Sequence, residues 1–394
     1  GKTTRPSSRS AARCVGGGGG SGGGGGAAGG GAAGGQGGGS SGGAGGGSGG
    51  GAGGGSGGGQ GGGTIVIPPG AWAFSAGGLA ADEGLGVTMT TDGRLVVVGT
   101  YASAAATFGR LTPNERTLTS SANGYGQLFI AQYELDGGFI DARGYPDGVF
   151  GSVPSGVTAL PGGDYAVLAQ YARSITLAPG VTIDAGVGVD QFLARLQADA
   201  GLVWVRTAGS TTYSLDVRAP PAAYAGGGVT YCADGSGWMQ VGQDLPNAFS
   251  FDGGNGRTPY AARFSEGGDL LFARNTMVMG SPATYGCAGA ASGGVFLGGV
   301  YTGTLRFFTS TGGLYPLTTA ALGFAGWVAR LDGAGHVVWA QSIEPVGSAS
   351  LTQLAATPDD GVIAAGYYRS QTVIGNRTLP IPPGGDEDNF LARF

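Results

Sequence analysis

The sequence predicts an all-β protein: a five-bladed β-propeller of four-stranded blades, preceded by a disordered glycine-rich tether. Three observations predict it. A short motif, aromatic-x-Ala-x-apolar, recurs five times at nearly constant spacing. Each copy stands among three other short apolar segments bounded by Gly and Asp turns. Of the 90 glycines, 35 fall within the 48 residues from Gly16 to Gly63, which leaves the remaining chain with the composition of a globular domain.

From the N-terminus, residues 1–15 carry Lys2, Arg5, Arg9 and Arg13 and no acid. Cys14 precedes the Gly-rich tract, a position that resembles the anchor of a bacterial surface lipoprotein, although Arg13 stands where that signal wants a small residue. The alternative is a free thiol in a disordered tail. No signal segment precedes Cys14 in the given chain. Residues 16–63 have almost nothing to bury and the largest backbone entropy to lose, so a disordered linker is expected. As a random coil it spans roughly 35–40 Å. The tract has no Gly-X-Y period, which excludes collagen.

The folding domain is expected over 64–394. Its repeated motif reads Phe129-Ile-Ala-Gln-Tyr, Phe192-Leu-Ala-Arg-Leu, Tyr260-Ala-Ala-Arg-Phe, Trp327-Val-Ala-Arg-Leu and Phe390-Leu-Ala-Arg-Phe. Twelve residues after the aromatic residue stand Asp141, Trp204, Phe272 and Trp339, each beyond a Gly/Asp turn. Two apolar runs joined by such a turn read as a β-hairpin. Two further strands precede each hairpin, the first ending near Asp-Gly and the second near Gly-x-Tyr, as in Gly86–Gly93 followed by Leu95–Tyr101. In the third repeat this reading takes Gly228–Gly235 as the first strand, Trp238–Gly242 as the second, and Ser210–Gly227 as a loop about ten residues longer than its counterparts. We name the four strands A to D in chain order. Four strands per repeat are the signature of a propeller.

Phe-x-Ala-Arg-Leu, Gly-x-Val-Trp, an Asp-Gly turn and an apolar strand ending in Gly together resemble the β-propeller repeat of bacterial secreted and cell-surface proteins, the SBBP-type repeats. The resemblance covers residues 70–394. It implies a fold and a location outside the cell, and no particular activity.

The ends of the body complement each other. Gly70–Gly78, with Trp72, reads as a D strand lacking a C strand, and Phe390–Phe394 as a C strand lacking a D strand. Pairing of residues 70–76 with 390–394 is therefore expected, one N-terminal strand closing three C-terminal ones. Closure removes an open sheet edge.

Arg195, Arg263, Arg330 and Arg393 recur at one position of the C strand, where Gln132 stands in the first repeat. A recurring buried charge needs a partner, and Asp92, Asp234 and Asp360 are the expected ones. With Trp72, Trp204 and Trp339 these are repeat-architecture residues. Cys232 and Cys287 are placed on adjacent A strands and are expected as two buried free thiols.

The loops at one face vary in length and those at the other do not, so function is expected on the variable face. The long segment there offers Tyr213, Arg218 and Tyr224 as a candidate binding loop, with residue types common at binding hot spots. A spacer packing on its own blade is the alternative. His336 reads as a surface turn residue. Asp386-Glu-Asp-Asn389 reads as a solvated turn, because calcium-loop ligand spacing is missing. Asn376-Arg-Thr378 fits a glycosylation acceptor.

No catalytic, cofactor or metal residues are assigned: three Cys and one His lack ligand spacing. The net charge of −5 contains +4 from residues 1–15, so the rest carries −9 and has no basic stripe. Nucleic acid is not an expected partner. No run of about 18 apolar residues predicts a transmembrane span. The expectation is a monomeric, non-catalytic binding scaffold, secreted or displayed on the cell surface, with a protein or glycan partner. A lectin is the alternative, and a glycosidase a more distant one.

Overall fold

The computed structural model describes residues 72–120, 126–145, 151–210, 215–224, 226–254, 256–321 and 323–394. The tail, the tether, Cys14 and Tyr213 lie outside the described residues. The described chain is all-β, with 29 strands and two single-turn 3-10 segments.

The strands group into five units. Unit 1 holds β1 (Asp82–Met89), β2 (Arg94–Tyr101), a side hairpin of β3 (Ala105–Phe108) and β4 (Arg116–Thr119), then β5 (Gln127–Glu134) and β6 (Phe139–Tyr145). Unit 2 holds β7 (Ser152–Ala159), β8 (Tyr165–Ala178), β9 (Val181–Leu196) and β10 (Leu202–Ser210). Unit 3 holds β11 (Leu215–Asp216), β12 (Ala222–Ala223), β13 (Val229–Gly235), the hairpin β14 (Trp238–Val241) and β15 (Phe249–Asp252), then β16 (Thr258–Phe264), β17 (Leu270–Asn275) and β18 (Met277–Met279). Unit 4 holds β19 (Ala283–Gly289), β20 (Val295–Tyr301), the hairpin β21 (Thr304–Phe308) and β22 (Leu314–Thr318), then β23 (Ala325–Leu331) and β24 (Val337–Pro345). Unit 5 holds β25 (Ala349–Ala356), β26 (Val362–Tyr368), the hairpin β27 (Thr372–Ile374) and β28 (Arg377–Leu379), and β29 (Asp388–Arg393).

Units 1 to 4 are antiparallel meanders in which A pairs B, B pairs C and C pairs D, as in β1-β2-β5-β6, and unit 5 stops at C, as β25-β26-β29. The apolar core is not one mass but a series of layers between successive units. Val96, Val98 and Ile130 of unit 1 meet Val157 and Val167 of unit 2. Leu168 and Trp204 of unit 2 meet Tyr231 and Phe264 of unit 3. Phe272 of unit 3 meets Leu297 and Trp327 of unit 4, and Phe296 of unit 4 meets Leu351 and Val362 of unit 5. Strands buried on both faces read as near-continuous apolar runs, which is why Leu95-Val-Val-Val does not alternate.

Unit 3 corrects the sequence reading. Ala233 pairs with Tyr260, the register that Gly99 makes with Phe129, Gly299 with Trp327 and Gly366 with Phe390. Val229–Gly235 is therefore the B strand, not the A strand. Trp238–Val241 belongs to the side hairpin and joins β10 of unit 2. The segment taken for a long loop carries the A strand in two pieces, β11 and β12. Pro220 and Pro221 interrupt it, since proline cannot donate to the ladder.

The interruption has a consequence for the cysteines. Tyr231, Cys232 and Ala233 are the residues of β13 that gain no A-strand partner. Their free edge meets β19 of unit 4. Cys232 and Cys287 form a disulfide there, with Cα atoms 5.6 Å apart, instead of the two free thiols expected. The expectation treated both as A-strand residues of adjacent blades, which sit farther apart.

Among the described strands, β29 pairs only with β26, and no sheet closes on itself. The expected pairing of residues 70–76 with 390–394 is absent from them. Residues 72–77 are instead seated on unit 1. The Trp72 indole N–H donates to the Leu135 carbonyl at 3.0 Å, Phe74 stacks on Tyr133, and Gly77 bridges to Thr107.

Candidate functional site

The two ends of the units differ in kind. At one end lie the A–B and C–D turns, and here the recurring arginines are held. Arg195 is buried; its Nε donates to Asp164 at 2.9 Å, and its other nitrogens donate to the carbonyl and carboxylate of Glu266 in the next unit. Arg330 pairs with Asp360 of unit 5 and donates to Ser292 at 2.7 Å. Arg263 donates to the Gly293 carbonyl and lies 3.6 Å over the ring of Tyr224. Arg393 pairs with Asp359 but is largely exposed, because no further unit covers it among the described residues.

The expected acids are thus right at Asp360 and wrong at Asp234. Asp234 is buried on β13, where it accepts from the backbone N–H and hydroxyl of Thr284. Asp92 pairs with Arg94, whose guanidinium reaches the Ala198 carbonyl that Gln132 also uses. Arg94 thereby fills in unit 1 the space that the C-strand arginine fills elsewhere. Trp204 donates from its indole to Glu266 at 2.9 Å, and Trp339 stacks on Phe394. This end joins units together.

The candidate binding loop does not assemble as one. Tyr224 occupies the A–B turn of unit 3, where its hydroxyl donates to the Phe264 carbonyl and its ring supports Arg263. It belongs to the joining end. Arg218 lies in the break of the A strand and lines a cavity at the opposite, variable end.

That cavity, about 430 Å³, is built between units 3, 4 and 5. Its lining includes Arg218, Arg257, Tyr285, Phe324, Tyr367 and Arg369. Tyr285 enters because the pairing of β19 with β20 slips between Thr284 and Gly286, leaving it as an unpaired bulge residue. A bulge re-aims the side chain it carries. Arg218 lies 4.9 Å over the Tyr285 ring and donates to its hydroxyl at 2.7 Å. Arg369 follows β26 and donates to Glu387 at 2.6 Å. Arg257 and Phe324 each stand three residues before the C-strand aromatic of their unit. Among the described residues, the charged side chains lining the cavity are Arg218, Arg257 and Arg369.

The sequence reading found Arg218 and missed the other wall residues. A signal was present in the differences between repeats. The position of Arg369 reads Ala102, Ala172, Ser236 and Thr302 in the other units, all small. The position three before the C aromatic reads Gly126, Val189, Arg257, Phe324 and Glu387, with no shared chemistry. Positions released from repeat architecture are where a site can be written.

Elsewhere, His336 lies 3.6 Å from Asp332 in its turn. Glu387 of the acidic turn pairs with Arg369, and Asn376 lies in the β27–β28 turn. Among the described residues, no group of three or more His, Cys, Asp or Glu is placed to hold a metal ion. No helix among them is long and apolar enough to cross a membrane.

No family model and no curated protein matches the sequence. Solved structures are similar at low level. A protein of unknown function from Dyadobacter fermentans DSM 18053 is 12% identical, with 82% of this chain and 88% of that one covered at a TM-score of 0.39. A catalytically inactive virginiamycin B lyase from Staphylococcus aureus, with quinupristin, is 12% identical over 74% of this chain and 96% of that one, TM-score 0.27. The WD40 β-propeller domain of Doa1 is 12% identical over 74% and 92%, TM-score 0.23. The likeness concerns an all-β, propeller-like layout and carries no argument about chemistry.

Proposed function

We propose that this chain is a closed five-bladed propeller acting outside the cytoplasm as a non-catalytic binding scaffold. Residues 16–63 are its spacer, and recognition takes place on its variable end.

Closure is supported by equivalent contacts. Trp72 donates to Leu135, six residues after Phe129, as Trp204 donates to Glu266, six residues after Tyr260. Gly77 pairs with the side hairpin of unit 1, as Ile343 of β24 pairs with that of unit 5. Residues 72–77 therefore make two contacts that D strands make, without the pairing to a C strand, and β29 is a C strand without a D strand. The disulfide supports an oxidising compartment, where such bonds persist.

The observation that carries the binding reading is the cavity. It sits where loops vary, on strand ends that do not, and its volume falls in the range of small-ligand sites. Probing a glycan array with the full chain tests the reading. The expected result is a bound glycan class recovered intact, with binding lost in Tyr367→Ala and retained in Tyr224→Phe. Release of shortened glycans, or binding that Tyr224→Phe abolishes and Tyr367→Ala leaves unchanged, would overturn it.

A further inference from the structure

We infer that a second cavity, between units 3 and 4, is a binding site for a small carboxylate that carries an aromatic ring. Its volume is about 330 Å³, and its wall includes Phe249, Arg274, Phe308, Thr309, Ser310 and His336. It shares no wall residue with the cavity of units 3, 4 and 5.

One D-strand position carries arginine in three units. Arg143, Arg206 and Arg274 stand opposite Ile130, Leu193 and Ala261 of their C strands. In units 1 and 2 this arginine is satisfied from the next unit. Arg143 donates to the Asp199 and Ala200 carbonyls. Arg206 donates to the Gly268 carbonyl and pairs with Asp244 at 2.9 Å. Asp244 stands in the turn between β14 and β15, the side hairpin that joins the D strand of unit 2. Arg206 and Asp244 together line the groove found there. The matching turn beside unit 3 joins β21 to β22, whose hairpin pairs with β18. That turn reads Thr309-Ser-Thr-Gly-Gly313 and holds no acid. Among the described residues Arg274 accordingly makes no ion pair. Its one hydrogen bond goes to the neighbouring Ala273 carbonyl at 3.1 Å, as Arg206 also donates to Val205. The cavity lies between Arg274 and this acid-free turn.

A ligand carboxylate supplies here what Asp244 supplies in unit 2. Arg274 is partly buried, and its planar fork offers paired N–H donors to a carboxylate. Ser310 adds an exposed hydroxyl. Asp332, in the adjoining C–D turn, faces His336 at 3.6 Å and not Arg274. The apolar part of the wall is aromatic: Phe249 and Phe308 are only partly covered. Such rings hold another ring by offset or edge-on contact. The volume suits one ring with a short acid arm.

Titration calorimetry with the full chain tests this. The probes are phenylacetate, its neutral counterpart 2-phenylethanol, and acetate, which lacks the ring. Phenylacetate is expected to bind about tenfold tighter than either. Its affinity should fall as salt rises from about 50 to about 300 mM, since screening weakens charge pairing. Arg274→Gln should weaken it about tenfold with an unchanged melting point, because no ion pair within the chain is lost. Phe308→Leu, which keeps the cation and removes a ring, should weaken it too, and Arg306→Gln should leave it unchanged. Equal affinity for 2-phenylethanol would overturn the carboxylate contact, and equal affinity for acetate the ring contact. Binding that Arg274→Gln leaves intact lies elsewhere and would overturn the site, as would no binding of phenylacetate. The glycan array is read separately: a positive array without phenylacetate binding removes this site alone, and a blank array leaves it standing.

Discussion

Glycine and aromatic residues vary together at the contact between neighbouring units. The C–D turns carry Gly137, Gly268 and Gly335 with φ between 82° and 90°. A methyl there would meet Trp72 at 2.6 Å, Trp204 at 3.0 Å and Phe272 at 2.7 Å. Unit 2 has Ala200 at this place, with φ 61°, and the residue facing it from unit 1 is in the Asp141–Arg143 segment, where no aromatic stands. The arginines obey a similar local logic, and burial ranks them. Arg195 is buried against a partly buried Asp164, Arg330 is about one-fifth exposed, and Arg393 is mostly exposed. Arg195→Ala should destabilise by about 3 kcal/mol, since it strands a mostly covered carboxylate and removes a buried guanidinium, and Arg393→Ala by about 0.5 kcal/mol, as exposed pairs do. Arg330→Ala should fall between them, and Arg306→Ala should match Arg393→Ala. Denaturant melts check the order; equal midpoints for all four would show that the arginines are merely solvated.

Asp190 gives a residue-scale pH dependence. Burial pushes its carboxyl up to about 6, against one backbone N–H from Ser210 and with Asp184 adding to the rise. The folded value lies above the unfolded one, so the stabilisation from the neutral acid is complete below pH 4. It is lost as pH rises through 6, to a total of at most about 3 kcal/mol. Asp190→Asn should flatten stability between pH 4 and pH 8 and make the variant the more stable form at pH 8. Parallel pH profiles of wild type and variant would contradict this.

At the scale of elements, the instructive case is unit 3. Four units announce their B strand with Gly or Ala, one residue, then Tyr: Gly99 to Tyr101, Ala169 to Tyr171, Gly299 to Tyr301, Gly366 to Tyr368. Unit 3 offers Ala233-Asp-Gly235, which imitates the turn that ends an A strand. The imitation displaced two spacings at once. Counting from the D-strand aromatic to the B position gave 38 against 27 or 28 elsewhere, and from there to the C aromatic 18 against 23 to 30. Placing Ala233 in the slot gives 29 and 27. Two compensating outliers in one repeat were the readable sign of a shifted register. The disulfide follows from this shift and from the prolines that break the A strand, the second of which periodicity does not report. Titration under denaturing, non-reducing conditions should find one thiol, that of Cys14, where three would exclude the bridge. Closing a 55-residue separation, the bond should contribute about 4 kcal/mol; reduction that leaves the denaturant midpoint unchanged would contradict that contribution.

For the whole molecule, the repeat made the fold class legible and the cavity illegible for the same reason. Recurring residues such as Trp204 and Arg195 hold units together, so they reveal architecture. The cavity residues Arg257 and Arg369 have no counterparts in other units, and only the side-by-side packing of units 3, 4 and 5 brings them to one place. Both ends of the array also expose apolar surface that a ring would cover. Leu85, Val87 and Met89 on the innermost strand of unit 1 and Leu391 on β29 stand open to solvent. Closure assigns their partner and fixes a register. The C-strand alanine pairs with the residue one past the D-strand aromatic slot: Ala131 with Ala142, Ala194 with Val205, Ala262 with Ala273, Ala329 with Ala340. By the same rule a closed ring would pair Ala392 with Ala73. Cross-linking through Ala73→Cys and Ala392→Cys, in a full-length Cys14→Ser background, tests this most directly, because paired strands bring Cα atoms within disulfide reach. The account predicts an intramolecular disulfide between positions 73 and 392 in the oxidised monomer, found by peptide mass mapping, with a raised melting point. Two free thiols at these positions, or a bond formed only between separate chains, would contradict the closed ring.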